Sequence, residues 1–282
     1  NNGCGAGDIS FPMINLNIAN NGVTNSYFAN NSGNYSIPLS AGQYTITPAF
    51  ENSNYYTFSP AFLSVDFPTN TSPLIQNFCV IPNGNHNDLE ITLLPIVPAR
   101  PGFDAEYKMV YKNKGNQTQN GNINLNFDDS VLDFVSTNQT LSNQTTNLLN
   151  WSFTNLLPFE SRSVNVIFNV NAPTETPSVV SGSILNYNAE IIGLTDESSY
   201  DNVSNLNQTV VNAFDPNDKT CLEGKIVAPD IVGEYVHYQI RFQNTGTANA
   251  QNIVVKDMID VSKFDVSSLV PISGSHNFNT RI

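Results

Sequence analysis

The stretch Ile123-Asn124-Leu125-Asn126-Phe127 alternates apolar and polar residues at every step. The same period of two occurs in Val164-Asn165-Val166-Ile167-Phe168-Asn169-Val170 and in Ile14-Asn15-Leu16-Asn17-Ile18. Successive side chains of a β-strand point to opposite faces, so each stretch offers an apolar face to a core and an Asn-rich face to solvent. No segment shows a sustained 3.6-residue repeat with capping signals. The alternation therefore predicts an all-β protein.

Turn-forming clusters separate these strand-sized stretches at short, regular intervals. Examples are Asn20-Asn21-Gly22, Asn31-Ser32-Gly33 and Asn120-Gly121. Regular spacing of short strands is typical of antiparallel sandwiches, whereas strand–helix–strand units need longer connections. A chain of 282 residues is long enough for two or three domains. We predict tandem antiparallel β-sandwich modules.

Composition excludes two classes of partner. Lys and Arg number 11 against 24 acidic residues, which gives a net charge of −13. Binding to a phosphate backbone needs clustered cations, so nucleic acid is not an expected partner. No uninterrupted apolar stretch is long enough to cross a bilayer, so we expect no membrane insertion. Asn1 begins the chain without Met or a leader, and the chain stops abruptly at Ile282, so we interpret it as an internal piece of a longer protein.

The first predicted module spans residues 1–82. Its clearest feature is Gly33-Asn34-Tyr35-Ser36-Ile37-Pro38-Leu39-Ser40-Ala41-Gly42-Gln43-Tyr44-Thr45-Ile46, interpreted as two strands with a reversal at Gly42. Pro38 has no amide hydrogen, so the first of these strands is expected at an edge or a bulge. The stretch resembles carboxypeptidase-regulatory-like and collagen-adhesin B-type modules. That resemblance implies a small prealbumin-like sandwich.

A polar linker at residues 83–87 precedes a second module at 88–213 and a third at 214–282, which is incomplete at its end. The last two modules share a repeat: Tyr107-Lys108-Met109-Val110-Tyr111-Lys112-Asn113-Lys114-Gly115 corresponds to Tyr238-Gln239-Ile240-Arg241-Phe242-Gln243-Asn244-Thr245-Gly246. We interpret each half as a strand, an Asn-x-Gly turn closed by a glycine with positive φ, and a second strand. The pattern is similar to the immunoglobulin-like conserved-repeat modules of bacterial surface proteins.

The third module also carries the junction Asp215-Pro216-Asn217-Asp218-Lys219. Together with the repeat, this junction resembles a module of large secreted proteins of Bacteroidota, where it precedes a type IX sorting domain. The resemblance implies an extracellular or outer-surface location. It also implies two partners, the secretion machinery and other modules of the same longer chain. Unlike that pattern, this chain ends before the remaining strands and before any sorting signal.

Few residues in the sequence have the pattern of a catalytic site. The three histidines, His86, His237 and His276, form no metal-binding pair at helical spacing, and no nucleophile elbow or phosphate-binding Gly loop is present. Asp128-Asp129 is the closest approach to paired carboxylates, yet neighbours on a strand face opposite ways. We therefore expect this chain not to be an enzyme.

The module junction is a candidate calcium site. Asp215, Asn217 and Asp218 place three oxygen-bearing side chains within four residues, and calcium prefers six to eight oxygen ligands. Further oxygens are available in the preceding segment from Glu190, Asp196, Glu197 and Asp201. The alternative is that Asp215 and Asp218 only cap a turn whose shape Pro216 sets.

The cysteines suggest a candidate disulfide. Cys4, Cys79 and Cys221 form an odd set, which in a secreted protein means one pair and one remaining thiol. Cys4 and Cys79 bracket the first module, so a bond between them would join its two ends. The alternative is that all three are small buried thiols.

Aromatic residues and short motifs supply the remaining candidates. Tyr55-Tyr56 is a candidate glycan-stacking platform, with one ring expected to face outward. Trp151 is a further aromatic candidate for this platform, but its alternation with Leu149 and Phe153 favours a core position. Asp129-Ser130-Val131 fits a short O-glycosylation motif of Bacteroidota, which makes Ser130 a candidate acceptor.

These observations favour a non-enzymatic stalk, spacer or adhesion segment of a secreted or cell-surface protein. Neutral Asn, Ser and Thr on the outer faces suit contacts with surface glycans or proteins. Two alternatives belong to other classes. One is an accessory region of a secreted hydrolase whose catalytic domain lies outside this chain, and the other is a dedicated carbohydrate-binding module.

Overall fold

A computed structural model describes residues 5, 7–8, 10–211, 218–243 and 253–282 of the chain. The protein is all-β: the described residues form seventeen strands, all of them paired antiparallel, and two short 3-10 helices, Pro229–Ile231 and Val266–Ser268. The chain divides into two compact units. Unit 1 comprises Asn1–His86, Gly115–Gln117 and Lys256–Ile282, and unit 2 comprises Asn87–Lys114 and Thr118–Val255.

Unit 1 holds six strands in two sheets. They are β1 (Asn15–Asn20), β2 (Val23–Phe28), β3 (Gly42–Ala49), β4 (Tyr56–Ser59), β5 (Leu63–Phe67) and β6 (Cys79–Pro82). One sheet has the order β2-β1-β3-β5, and β4 pairs with β6 in the other. The predicted alternation of Ile14 to Ile18 is confirmed, because Ile14, Leu16 and Ile18 are buried. Leu16 and Ile18 meet Ile46 of β3 in the core of this unit.

The predicted strand over residues 35–39 is wrong. These residues lie outside every strand, and β3 pairs with β1 and β5 instead. Tyr35, Ile37 and Leu39 still pack against the core as partly buried side chains. Pro38 gives the physical reason, since it removes an amide from any ladder while the flanking side chains keep their apolar contacts.

Unit 2 is a β-sandwich followed by a hairpin. Its strands are β7 (Leu89–Pro95), β8 (Asp104–Asn113), β9 (Gln119–Asn126), β10 (Leu132–Thr137), β11 (Asn143–Thr145), β12 (Leu148–Leu156), β13 (Ser161–Val170), β14 (Ile184–Ile192), β15 (Val203–Thr209), β16 (Asp218–Cys221) and β17 (Tyr238–Arg241). The two sheets of the sandwich have the orders β10-β13-β8-β7 and β11-β12-β9-β14-β15, and β16 pairs with β17.

The sandwich core consists of the inward-facing residues that alternation predicts. Ile123, Leu125 and Phe127 of the β9 region are buried, as are Val164 and Phe168 of β13. Trp151 lies in the same core at 2% exposure, which confirms the preference for a core position over a ligand site.

The predicted hairpin after β8 is wrong. β8 and β9 belong to different sheets, so Asn113-Lys114-Gly115 crosses from one layer of the sandwich to the other. Gly115 is not among the glycines with positive φ. Asn113 is fully buried and its side-chain amide donates to the Leu156 carbonyl at 2.9 Å, so this segment serves as a packed crossing between layers.

The described residues of the region 214–282 are not grouped into a third compact unit. Described residues up to Val255 belong with unit 2, and those from Lys256 onward belong with unit 1. Within the described part of this region, regular pairing is limited to the β16–β17 hairpin and a single bridge from Tyr27 to Arg281. Two short strands cannot enclose a core of their own, and most of the described side chains of this region are exposed or half-buried.

Candidate functional site

A buried charge cluster lies at one end of the sandwich in unit 2. Lys114 Nζ is 2.6 Å from Asp201 Oδ2 and 3.7 Å from Glu90 Oε2. The side chains are only 8%, 17% and 12% exposed for Lys114, Asp201 and Glu90. Burying three ionisable groups is costly unless they are paired, so their position together is a strongly constrained feature of the fold.

Backbone contacts hold each member of this cluster in place. Glu90 stands on β7 opposite Lys112 of β8, two residues before Lys114. The Lys114 amide donates to the Asp88 carbonyl at 2.8 Å, and the Ile91 amide donates to the Asp201 carbonyl at 3.0 Å. The cluster therefore links three elements: the start of β7, the end of β8 and the residues before β15.

The Asp201 carboxyl is electrostatically unusual. Burial raises its pKa above the ordinary value, although the neighbouring Lys114 ammonium opposes that shift. Its second oxygen, Oδ1, is buried and has no hydrogen-bond partner among the described residues. A carboxyl in this position holds its proton more readily than one in water.

A second group of polar residues lies in the hairpin segment, residues 218–241, which carries the paired strands β16 and β17. Glu223 accepts two hydrogen bonds from His237, one from the backbone amide at 2.9 Å and one at Nδ1 at 2.6 Å. Burial lowers the pKa of His237, but the bond to Glu223 and the charges of Glu223, Glu90 and Asp201 outweigh it and raise the pKa overall. The charges of two sandwich carboxylates, Glu90 and Asp201, thus help to raise the pKa of His237 in the hairpin segment.

Cys221 forms its hydrogen bond with Glu223 rather than with His237. Its Sγ donates to Glu223 Oε2 at 3.2 Å. In a thiol protease the imidazole lies next to the sulfur and takes its proton, whereas here the carboxylate stands between them. Burial and the hydrogen bond to Glu223 raise the pKa of the Cys221 thiol, so the sulfur stays protonated and weakly nucleophilic at neutral pH.

The structure describes one of the three predicted calcium ligands. Asp218 begins β16, and its carboxylate accepts hydrogen bonds from Arg241 Nε at 2.7 Å and from the Arg241 Nη2 group. Asp215 and Asn217 lie outside the described residues, so calcium binding at this loop stays a prediction. Among the described residues no group of three or more His, Cys, Asp or Glu side chains is arranged to hold a metal ion.

The four acids suggested as additional calcium ligands are not gathered at one point. Asp201 pairs with Lys114, while Asp196 accepts a hydrogen bond from the Leu89 amide at 2.7 Å. Glu190 faces the outer side of the five-stranded sheet, 3.5 Å from the Asn124 amide. The carboxylates of Glu190, Asp196 and Asp201 are thus each used locally within the sandwich.

Two of the three cysteines, Cys79 and Cys221, lie among the described residues. Cys79 is disulfide-bonded, and Cys221 carries a free thiol. Cys4, the predicted partner of Cys79, lies outside the described residues.

The predicted outward-facing tyrosine at Tyr55-Tyr56 is wrong. Both rings are buried, at 9% and 5% exposure. Tyr55 stacks on His86 with ring centroids 4.3 Å apart, and the Tyr56 hydroxyl donates to the Gly115 carbonyl at 2.5 Å. Alternation holds only within a strand, and β4 begins at Tyr56, so Tyr55 is free to turn to the same side.

Ser130 lies exposed in the turn between β9 and β10, where its hydroxyl donates to Asp128 Oδ1 at 2.6 Å. This position is accessible to a modifying enzyme, and O-glycosylation there stays a prediction. Unit 1 contributes a shallow polar groove of about 550 Å3. Tyr44, Gln43, Asp66 and Asn70 are among the residues that line it.

Sequence reasoning missed both buried charge groups. The sequence pattern predicts only a turn position for Lys114 and only a calcium-ligand oxygen for Asp201. Charged residues are rare in this chain, so a lysine directly after an apolar strand was the available signal. The pairing itself joins residues 87 positions apart, which a local pattern does not reveal.

A family model described as a domain of unknown function, DUF7619, matches residues 215–282. No curated protein matches the chain. The solution structure of CaCohA2 from Clostridium acetobutylicum is 14% identical, covers 45% of this chain and 92% of its own, and superimposes with a TM-score of 0.34. In the described part of the chain, no helix is long and apolar enough to cross a bilayer.

Proposed function

We propose that this chain is a non-catalytic stalk, spacer or adhesion segment of a secreted or cell-surface protein, exported by a type IX-like route. The prealbumin-like and immunoglobulin-like module types suggested by the sequence belong to the same proposal. Its partners are other parts of the same longer chain, the secretion machinery, and surface glycans or proteins.

The observation that carries the proposal is how the buried charged groups are used. Lys114, Glu90 and Asp201 connect three backbone elements of the sandwich, and Glu223 binds the His237 backbone as well as its ring. Catalytic groups converge on a space that a substrate can enter, whereas these groups converge on one another. Charge used in this way favours rigidity, which a spacer needs.

The outer face of the five-stranded sheet supports contact with neutral partners. Its side-chain amides pair across strands, with Asn150 donating to Asn124 at 2.7 Å and Asn188 donating to Asn205 at 2.9 Å. Such a face offers hydrogen bonds at low charge. Both Tyr55 and Tyr56 are buried, so we place an adhesive contact with a glycan at the polar groove of unit 1, where the half-buried Tyr44 lies beside polar side chains.

The test is to assay the purified chain against a glycan array, immobilised matrix proteins and a panel of ester, peptide and glycoside substrates. We expect no turnover. An adhesion segment binds one of the surfaces and loses that binding in Tyr44→Ala, whereas a spacer binds none. Turnover that disappears in Cys221→Ala or Glu223→Gln would contradict the proposal and mean that this chain is itself catalytic.

A further inference from the structure

The two sheets of the sandwich in unit 2 differ in charge. The five strands of the sheet β11-β12-β9-β14-β15, all of which are described, contain one charged residue, Glu190. The four strands of the other sheet contain seven charged residues, namely Glu90, Asp104, Glu106, Lys108, Lys112, Asp133 and Arg162. In a chain with a net charge of −13, the five-stranded sheet is therefore a nearly neutral surface.

The outer face of the five-stranded sheet carries rows of polar side chains, and we call it the amide face. It consists of Asn122, Asn124, Asn126, Asn150, Ser152, Asn188 and Asn205. One row runs from Asn126 through Asn188 to Asn205, with Nδ2–Oδ1 distances of 3.3 and 2.9 Å. The next row joins Asn150 Nδ2 to Asn124 Oδ1 at 2.7 Å. Every member is exposed or half-buried, so the rows lie within reach of a ligand.

The rows form a regular grid. Neighbouring strands lie about 4.8 Å apart, which sets the spacing of side chains within a row. Asn122, Asn124 and Asn126 alternate along β9, so successive rows are about 6.8 Å apart. The grid presents similar hydrogen-bonding groups at each of its points.

The amides of this grid keep bonding capacity for a ligand. A side-chain amide has two N–H donors and two acceptor lone pairs. Within its row Asn188 donates once, to Asn205, and accepts once, from Asn126. A second N–H and a second lone pair of Asn188 can therefore bond to a molecule above the sheet.

We propose that the amide face binds a neutral β-1,4-linked polysaccharide, which lies across the strands along the rows. Each ring of such an extended chain advances by close to the strand spacing of about 4.8 Å, so successive sugars meet successive strands. Ring hydroxyls both donate and accept hydrogen bonds, as the amides do, and neither surface brings a strong charge. The proposal rests on the proposed function in assuming a glycan contact, and it adds a second site with its own ligand class to the groove of unit 1.

Other ligands fit the amide face less well. A phosphate backbone requires clustered cations, and the described strands of this sheet contain neither Lys nor Arg. A protein partner requires an apolar centre, whereas the centre of this face consists of Asn124, Asn150 and Asn188. Because sheets twist, a rigid crystalline surface would meet only part of the grid, while a single polysaccharide chain can follow the twist.

NMR titration of the isotope-labelled chain is the test. The probes are the soluble β-1,4-linked hexasaccharides of glucose, of mannose and of N-acetylglucosamine, each added separately. We expect at least one of them to shift the side-chain amide signals of Asn124, Asn150 and Asn188, while the monosaccharides shift none. Affinity should rise with the number of rings and level off near five, because the sheet has five strands.

A charged ligand with the same linkage is the matched control for the ligand class. Polymannuronate is β-1,4-linked but anionic, and it should not bind a chain of net charge −13. The Kd of the neutral hexasaccharide should not change with added salt. Binding of polymannuronate, or a Kd that depends strongly on salt, would overturn the assigned ligand class.

Two double variants test the position of the site. Asn124→Ala with Asn188→Ala should weaken hexasaccharide binding by about tenfold or more. Asn165→Ala with Asn169→Ala makes the same two changes on β13 of the charged sheet and should leave binding unchanged. If the first double variant fails to fold, the map of shifted signals in the parent chain still decides.

The outcomes separate this proposal from the proposed function. Tyr44→Ala, in the groove of unit 1, should keep hexasaccharide binding. Binding that is lost in Tyr44→Ala and kept in Asn124→Ala with Asn188→Ala would overturn the amide-face site and leave glycan adhesion standing. Binding to a matrix protein and to none of the hexasaccharides would also overturn it, and would leave adhesion standing. Turnover of a substrate would contradict the proposed function whatever the titration shows.

Discussion

Two stretches of this chain share one pattern and end in different surroundings. Tyr107, Met109 and Tyr111 of β8 are buried, two of them completely. Their counterparts in the repeat, Tyr238, Ile240 and Phe242, are 43%, 40% and 49% exposed. The same alternation of large apolar residues therefore forms a core strand in one place and a half-exposed strand in the other.

The number of neighbours explains the difference. β8 pairs with β7 on one side and β13 on the other, and the second sheet covers its inner face. In the described residues β17 pairs only with β16. Alternation thus determines which residues share a face, while burial depends on whether another layer covers that face.

Truncation of matched residues should give the largest effect. Met109→Ala removes a fully buried side chain and should lower the free energy of unfolding of unit 2 by about 2–5 kcal/mol. Ile240→Ala removes a side chain that is already 40% exposed and should cost less than about 1 kcal/mol. Urea unfolding of the two variants beside the parent chain measures both values.

The contrast between the buried β8 and the half-exposed β17 fails if Met109→Ala and Ile240→Ala lower the free energy of unfolding by similar amounts. That result would mean that a layer covers β17 in solution. Thr92→Ser, a mild change at a buried site on β7, checks that the assay resolves differences near 1 kcal/mol.

Histidine titration should give a smaller, pH-dependent effect that is largest in the hairpin segment. Because the folded-state pKa of His237 is raised, the stabilisation from its charge is fully present below the unfolded pKa and is lost as pH rises through the folded pKa. Amide hydrogen exchange of β16 and β17 should therefore accelerate across that range, after correction for the intrinsic pH dependence of exchange. Sandwich strands other than β7 and β15 should respond less, because Glu90 on β7 and Asp201 before β15 are the sandwich groups whose charges act on His237.

Glu223→Gln tests the cause of this shift. Losing the charged partner should return the pKa of His237 toward its ordinary value and destabilise the hairpin segment by about 1–2 kcal/mol. NMR titration of the His237 ring in both proteins measures the pKa, with His276, which is exposed, as the internal control. An unchanged His237 pKa in Glu223→Gln would contradict the assigned hydrogen bond.

Much of the fold was predictable because it depends on local periodicity. The buried faces of β1, β9, β12 and β13 follow directly from alternating residues. The path from β8 to β9 was not predictable, because an Asn-x-Gly turn in a hairpin and one that crosses between sheets look alike in sequence. What separates them is the buried Asn113 bond to Leu156, which joins distant residues.

The candidate site was less predictable for the same reason. Asp201 and Lys114 meet only after two sheets have packed, and Tyr55 turned inward because of a ring contact with His86 across a loop. Residue type suggested the chemistry in both cases, acids for charge and tyrosines for stacking. Tertiary contacts decided which groups were paired and which were covered.

The smallest effect is expected at the polar face of the hairpin, where the repeat also differs. Arg241 occupies the position of Val110 in the pattern, and it pairs directly across the strands with Asp218. Val110 is buried, whereas the Arg241–Asp218 side chains are 20% and 26% exposed, so Arg241→Gln should cost only about 0.2–1 kcal/mol.

The Arg241 hydrogen bonds hold the Asp218 pKa below its usual range, so this stabilisation is present above the unfolded pKa and is lost as pH falls through the folded pKa. Carboxyl NMR of Asp218 in Arg241→Gln should show the pKa rising toward its ordinary value, and added salt should narrow the stability difference from the parent. A loss as large as that of Met109→Ala would mean that this face is covered, and the contrast between the two strands would not hold.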